Sequence, residues 1–228
     1  MIDFDKLIDK YLEREFRPKQ IGRYYPSEIG GCLRKTWYSY KFPKEIDTKL
    51  ARVFEAGNIL HEFIADVIKS DKNKDVELLR SEMPIQIKTK DFVISGRIDN
   101  LVLLKVCDAN GNVNEKDCKE VLVEVKSTKF LPEECKKEHE MQLQIYMRAT
   151  GVENGVVLYV QKDNLEMKWF DVKLNVVEGE KIIERFERIH ESLVSGKMPI
   201  AEAKMSSESK WMCDYCPWKA ECDKSGSL

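Results

Sequence analysis

Apolar and polar positions change period twice along this chain. Across residues 3–16, Phe4, Leu7, Ile8, Tyr11 and Leu12 recur at helical spacing and predict an amphipathic helix. Pro18, Gly22 and Pro26 then punctuate a loop. Ser27, followed by Glu28, is placed to cap a short helix carrying Cys32, Arg34, Trp37 and Tyr38. Leu50, Val53, Phe54, Leu60, Ile64, Val67 and Ile68 fit a longer helix over about 49–70. The period then falls to two, and residues 83–88, 91–95, 98–106 and 120–126 read as strands. Asp108 to Asn112 forms the tip of a hairpin or a longer loop. A helix follows over 133–149, then strands at 155–161 and 167–173, then a helix over 176–195. From Pro199 the tail is polar until an aromatic and cysteine-rich patch at 211–222. This order predicts one mixed α/β domain with a small terminal element.

Composition narrows the class. A hydrophobic fraction of 43% and a charged fraction of 34% fit a soluble globular protein. No apolar run approaches the ~20 residues needed to cross a bilayer, and the first residues lack the shape of a secretion signal. The chain is therefore expected in the cytoplasm, away from membranes. A net charge of −2 argues against a protein that coats nucleic acid through many phosphate contacts. It leaves room for a local basic track beside an acidic site. Seven cysteines, an odd number, make a poor disulfide framework in a reducing compartment.

The strand Val121–Lys126 carries the central chemical clue. Side chains alternate across a strand, so Glu124 and Lys126 share a face. Asp99 lies in an otherwise apolar segment after Gly96, Arg97 and Ile98. Alone, a Glu-x-Lys on a strand is an ordinary solvated face. Two carboxylates and a lysine that meet at one point are what metal-assisted phosphodiester cleavage requires. Gln142 and Tyr146 lie four apart and so share one helical face. His61 sits in the apolar stretch after Gly57, where imidazole is either a core residue or a metal ligand.

Cys213 and Cys216 form a Cys-x-x-Cys, Cys222 follows five residues later, and Cys32 after Gly30-Gly31 is the candidate fourth ligand. Four thiolates suit either zinc or an iron–sulfur cluster. Cys107, Cys118 and Cys135 read as free thiols, with Cys107 and Cys118 bracketing a loop.

In order, Gly57-Asn58-Ile59-Leu60-His61-Glu62, Gly96-Arg97-Ile98-Asp99, Glu124-Val125-Lys126 and Gln142-Leu143-Gln144-Ile145-Tyr146 resemble the RecB-like branch of the PD-(D/E)xK nucleases. One departure is that Ile98, not proline, precedes Asp99. With the four cysteines, Ser27-Glu28-Ile29 and Trp37-Tyr38, the chain looks most like the CRISPR-associated Cas-four exonucleases along nearly its whole length.

The resemblance implies an α/β, restriction-endonuclease-like core, a central mixed sheet flanked by helices, with a small iron–sulfur subdomain formed by both chain ends. Its expected divisions are an N-terminal helical segment at 1–48, a nuclease core at 49–198 and a cysteine segment at 199–228. It implies that His61, Asp99, Glu124 and the main-chain carbonyl of Val125 bind Mg²⁺ or Mn²⁺, and that Lys126 positions or activates water. Gln142 and Tyr146 would support substrate binding or the site's geometry. Cys32, Cys213, Cys216 and Cys222 would hold a [4Fe–4S] cluster. The implied activity is exonucleolytic, with endonuclease activity allowed, on single-stranded DNA or overhangs. The implied partner is the CRISPR spacer integrase complex, and a homo-oligomer is among the allowed assemblies. Arg34, Lys35, Arg97, Lys129 and Arg148 are candidates for lining the strand path. The competing expectation is a non-catalytic iron–sulfur DNA-binding subunit of a repair or adaptation complex.

Overall fold

The computed structural model describes residues 2–106, 114 and 117–226. The chain opens with helix α1, Phe4–Leu12, whose N-cap Asp3 accepts the amide of Lys6. After a two-residue strand β1, Arg23–Tyr24, come two short helices, α2 at Pro26–Ile29 and α3 at Leu33–Lys41. Helix α4, Thr48–Lys69, is capped by Asp47 on the amide of Leu50 at 2.8 Å. Strands β2, Val76–Lys88, β3, Val93–Leu104, and β4, Lys119–Thr128, follow. Helix α5, Lys137–Thr150, then leads to β5, Asn154–Gln161, and β6, Met167–Lys173. Helix α6, Val176–Ser195, precedes a tail holding α7, Glu202–Met205, a 3-10 turn at Lys210–Cys213 and α8, Lys219–Lys224.

The strands form one mixed sheet in the order β2–β3–β4–β5–β6. Strand β3 is antiparallel to both β2 and β4, β4 runs parallel to β5, and β5 is antiparallel to β6. The two-residue β1 pairs with the start of β3 through Arg23–Val93 and Tyr24–Ile94, parallel to it. A parallel neighbour requires a crossover, and α5 supplies it between β4 and β5.

Three groups of buried side chains hold the layers together. Leu122, Leu143, Met147 and Val157 pack between the sheet and α5. On α4's side Ile64 meets Val125 and Val160. The third group joins the chain ends: Ile29, Leu33, Trp37 and Tyr38 pack with Phe186 and Leu193 of α6 and with Trp218 of the tail.

Several predicted boundaries move. The first helix ends at Leu12, the only one of its residues to be buried. Ser27 is not a cap: Tyr25 precedes the helix with Pro26 at its first position, and the Tyr25 amide donates to Glu28. Cys32 caps a separate helix, α3. The predicted strand at 83–88 begins at Val76, and its added residues alternate only as far as Leu79, where four consecutive exposed positions, 79–82, break the pattern. The strands expected at 91–95 and 98–106 are one, because Gly96 is not a turn. A Cβ there would lie 2.8 Å from Tyr146 Cε1, so the glycine admits a close approach. Helix α5 starts at Lys137, four residues later than its predicted start at 133. The tip at Asp108–Asn112 lies outside the described residues.

The turn before Cys32 is set by another close approach. A Cβ on Gly30 would stand 2.3 Å from Glu138 Cα, whereas one on Gly31 would meet nothing within 4 Å. Arg185 of α6 donates to the carbonyls of Ile29 and Gly31 and pairs with Glu202, which also accepts the amide of Leu33. Gly30→Ala should therefore lower unfolding free energy in urea by about 2 kcal/mol or more, in the range of overpacked cores. Gly31→Ala should change it little. Equal effects of the two substitutions would contradict the close-contact account.

Candidate active site

The hydrogen-bonded register of β3 and β4 runs from Leu104–Lys119 to Asn100–Val123 and stops there. Asp99 is the next residue. Its Oδ2 accepts the amide of Val125 at 2.7 Å in the interior, in place of a ladder partner. Its Oδ1 lies 3.4 Å from Nδ1 of His61, presented by α4. Burial pulls the His61 pKa down, but the hydrogen bond and charge of Asp99 outweigh it and hold the imidazole above its ordinary value.

A third group, Glu82, was not anticipated. Ligand-capable atoms of His61, Glu82 and Asp99 all lie within 4.8 Å of one another. They border a cavity of about 260 Å³ that Asp66, Ser81 and Asn100 also line. Glu82 stands between the pairs Ser81–Asn100 and Met83–Ile98, opposite Asp99, with φ of 52°. Few residues other than glycine adopt that conformation, and such strain concentrates at functional sites. The carboxylate also pairs with Arg97. A Glu in a polar edge strand gives no sequence signal of this turn.

Glu124 is 1% exposed. Its Oε1 accepts from Lys126 Nζ at 2.6 Å and from Gln142 Nε2 at 2.7 Å. Gln142 returns its carbonyl oxygen to Lys126 at 3.0 Å and directs its amide to the Tyr146 hydroxyl at 3.1 Å. The strand alternation and the helix spacing thus converge on one network of four side chains. Oε2 of Glu124 is buried with no partner. Burial raises the Glu124 pKa to about 7 against the pull of Lys126. Burial, followed by the charge of Glu124, also pushes the Tyr146 phenol up, so it stays protonated.

The five basic candidates separate. Arg97 is exposed at the rim, on Glu82. Lys129 is exposed just beyond β4, with its ammonium 5.1 Å from the Phe130 ring centroid. Arg148 turns to α6, where it meets Glu180 at 3.9 Å, and Lys35 borders a different cavity. Arg34 is corrected outright as a surface contact: it is 1% exposed and points inward.

That second cavity, about 200 Å³, is lined by Cys32, Cys213, Cys216 and Cys222 together. Burial raises the Cys213 thiol, and the neighbouring Cys32, Cys216 and Cys222 raise it further. Cys118 and Cys135 are free thiols elsewhere, and Cys107 lies outside the described residues.

A carboxylate pair and a lysine at the parting of two central strands, with a Gln-x-x-x-Tyr helix across them, define a class of nuclease fold. The PD-(D/E)XK nuclease superfamily model matches residues 6–223, and the chain belongs to that superfamily. It is 26% identical over 223 residues to the CRISPR-associated exonuclease Cas4 of Saccharolobus solfataricus, with 95% of each chain covered. The crystal structure of SSO0001 shares the fold with a TM-score of 0.60 at 21% identity, covering 95% of this chain and 92% of that one. LHK-Exo, an alkaline exonuclease from Laribacter hongkongensis, in complex with dAMP gives 0.51 at 13% identity, covering 77% and 90%.

Two expectations follow from the site's charges. Folding raises the Glu124 pKa from 4.5 to about 7, so the metal-free fold loses stability as pH rises through that window. A divalent cation held by the ionised carboxylate would offset that loss. At a fixed Mn²⁺ concentration the rise in Tm should therefore be larger at pH 8 than at pH 6; an equal or smaller rise would refute the assignment. Glu82→Gln should weaken Mn²⁺ binding by about tenfold, as for groups that tune a metal site. Calorimetric titration showing unchanged affinity would remove Glu82 from it.

Proposed function

We propose that this chain is a metal-dependent DNA exonuclease acting on single strands or overhangs. The observation that carries the reading is the buried Glu124 carboxylate, half satisfied by Lys126 and Gln142 and half without a partner, close to Asp99 and His61. A buried oxygen of that kind fits a cation better than it fits a folded protein alone. His61, Asp99, Glu124 and the carbonyl of Val125 would hold Mg²⁺ or Mn²⁺, hard ions that oxygen donors suit. When bound, the cation supplies Lewis acidity, neutralising charge on the phosphate and acidifying its water.

The chain's own residues orient that chemistry. An ammonium has three donors; Lys126 gives one to Glu124 and one to Gln142, leaving a third to hold the attacking water. Gln142 fixes the lysine from the opposite side. Tyr146 accepts from Gln142 and keeps its own O–H to offer a phosphate oxygen. Arg97 and Lys129, exposed at the rim and beyond β4, supply cationic contacts for the strand.

The four cysteines of the second cavity hold a [4Fe–4S] cluster in this reading. Zinc would take the same four thiolates, and the cavity of about 200 Å³ beside them has room for the larger cluster. The cluster would tie α3 to the tail. Similarity to the Saccharolobus exonuclease supports a role in trimming DNA before a CRISPR spacer integrase takes it up.

Asp99→Ala and Glu124→Ala should each reduce Mn²⁺-dependent release of nucleotides from end-labelled single strands by on the order of 10³-fold, the scale of losing one electrostatic stabiliser. Strand binding, followed by fluorescence anisotropy, should persist. Undiminished cleavage in both variants would sink the catalytic assignment of Asp99 and Glu124, and a wild type that binds the strand without cleaving it would leave a binding subunit as the better reading. Anaerobically purified protein should be brown, with absorbance near ~400 nm, and Cys216→Ser should lose that band. A colourless, zinc-loaded wild type would sink the cluster.

A further inference from the structure

The side chain that sequence reading placed on the DNA surface occupies one of the most buried positions in the molecule. Arg34 is 1% exposed, and its hydrogen-bonded oxygen partners are main-chain carbonyls. Nε donates to Pro199 O at 2.6 Å, and Nη1 donates to Gly226 O. Nη1 also lies 3.9 Å from Cys222 Sγ, while Nη2 is buried without a partner. A guanidinium stays protonated under all ordinary conditions, and a buried charge without a counter-ion costs several kcal/mol. Carbonyl dipoles solvate it but do not neutralise it.

The cavity beside it repeats the imbalance. Arg34, Lys35, Lys204 and Lys219 line it with the four cysteines, and Glu138 is the one carboxylate among the lining residues. Lys204 and Lys219 share Asp223, at 2.9 and 2.8 Å, so one carboxylate from outside the cavity serves both and leaves one positive charge over. Among the described residues no carboxylate forms an ion pair with Arg34. The excess charge is matched by what the proposed cofactor brings: four thiolates around a [4Fe–4S]²⁺ core carry a net −2, and one-electron reduction makes it −3.

We propose that Arg34 is the buried counter-charge of the cysteine-bound cluster, donating through Nη1 to the Cys222 sulfur and setting both its retention and its reduction potential. The proposal rests on the cluster reading above. Arg34 is a positioning residue, since it acts on the cluster through a ligand sulfur. A cation and an N–H···S bond both favour the more negative, reduced state, and so raise the potential. Losing them while the ligands remain should lower it. Lysine at this position would keep the charge but lose the fork that reaches Pro199, Gly226 and Cys222 together.

The test uses the full chain, purified anaerobically and loaded with iron and sulfide. In wild type carrying arginine labelled with ¹⁵N in its guanidino group, pulsed EPR of the dithionite-reduced cluster should show a ¹⁵N coupling, absent from Arg34→Lys. This needs no folded variant to establish contact. Arg34→Gln should weaken the preference for the reduced cluster about tenfold, about 59 mV downward for a one-electron couple, and should shorten cluster lifetime against a chelator. Arg34→Lys should recover most of the potential but not the lifetime. If wild type loads its cluster yet shows no arginine coupling, or Arg34→Gln leaves the potential at the wild-type value, the role of Arg34 is overturned and the cluster stands. If wild type takes up neither iron nor sulfide, the cluster reading itself falls, and this proposal with it.

Discussion

Beyond the pair Asn100–Val123 the strands β3 and β4 part, and the amide of Val125 that would have extended the ladder is given to the carboxylate of Asp99. A backbone donor in the interior must find an acceptor, so parting the strands and burying an acid there satisfy each other. The same parting opens a notch in the middle of a sheet, where neighbouring strands would ordinarily close it. Helix α4 brings His61 to one side of that notch and α5 brings Gln142 to the other. Asp99 owes its place in the interior to where one register ends.

Among the described residues Glu124 and Arg34 are the most deeply buried charged side chains, of opposite sign, and each is handled only halfway by the protein. Glu124 has one oxygen satisfied and one without a partner; Arg34 has two carbonyls and one idle nitrogen. Full satisfaction would have made both purely structural. Partial satisfaction leaves a deficit of definite sign: negative in the notch, positive beside the cysteines. The two proposed cofactors match those signs, a cation for the first and an anionic cluster for the second. A chain near electroneutrality overall can therefore hold two sites with opposite appetites.

Much of this arrangement was legible in the sequence because it rests on period. Alternation along β4 placed Glu124 beside Lys126, and the four-residue spacing placed Gln142 beside Tyr146; the structure brings all four into one network. The cysteine spacing likewise anticipated thiols gathered around one cavity. What period cannot show is direction in three dimensions. Glu82 reaches the site through a positive φ that no pattern announces. Gly96 looked like a turn because glycine marks both turns and close approaches, and only the ring of Tyr146 distinguishes them. Arg34 was misjudged by the general rule that arginines are exposed, whereas here its guanidinium is held in the interior by the carbonyls of Pro199 and Gly226.

The N-terminal helices take their partners from the far end of the chain. The Trp37 indole donates to Ser192, Arg34 reaches Pro199 and Gly226, and the Trp218 indole donates to Phe42. On the ribosome these early residues emerge long before those acceptors exist. The strands and α5 can pair among themselves as they appear, but α3 must wait until Ser192, Pro199 and Gly226 have been made. This lobe is thus completed after the sheet, and a chain that stopped before Trp218 would hold a finished sheet under an unfinished lid.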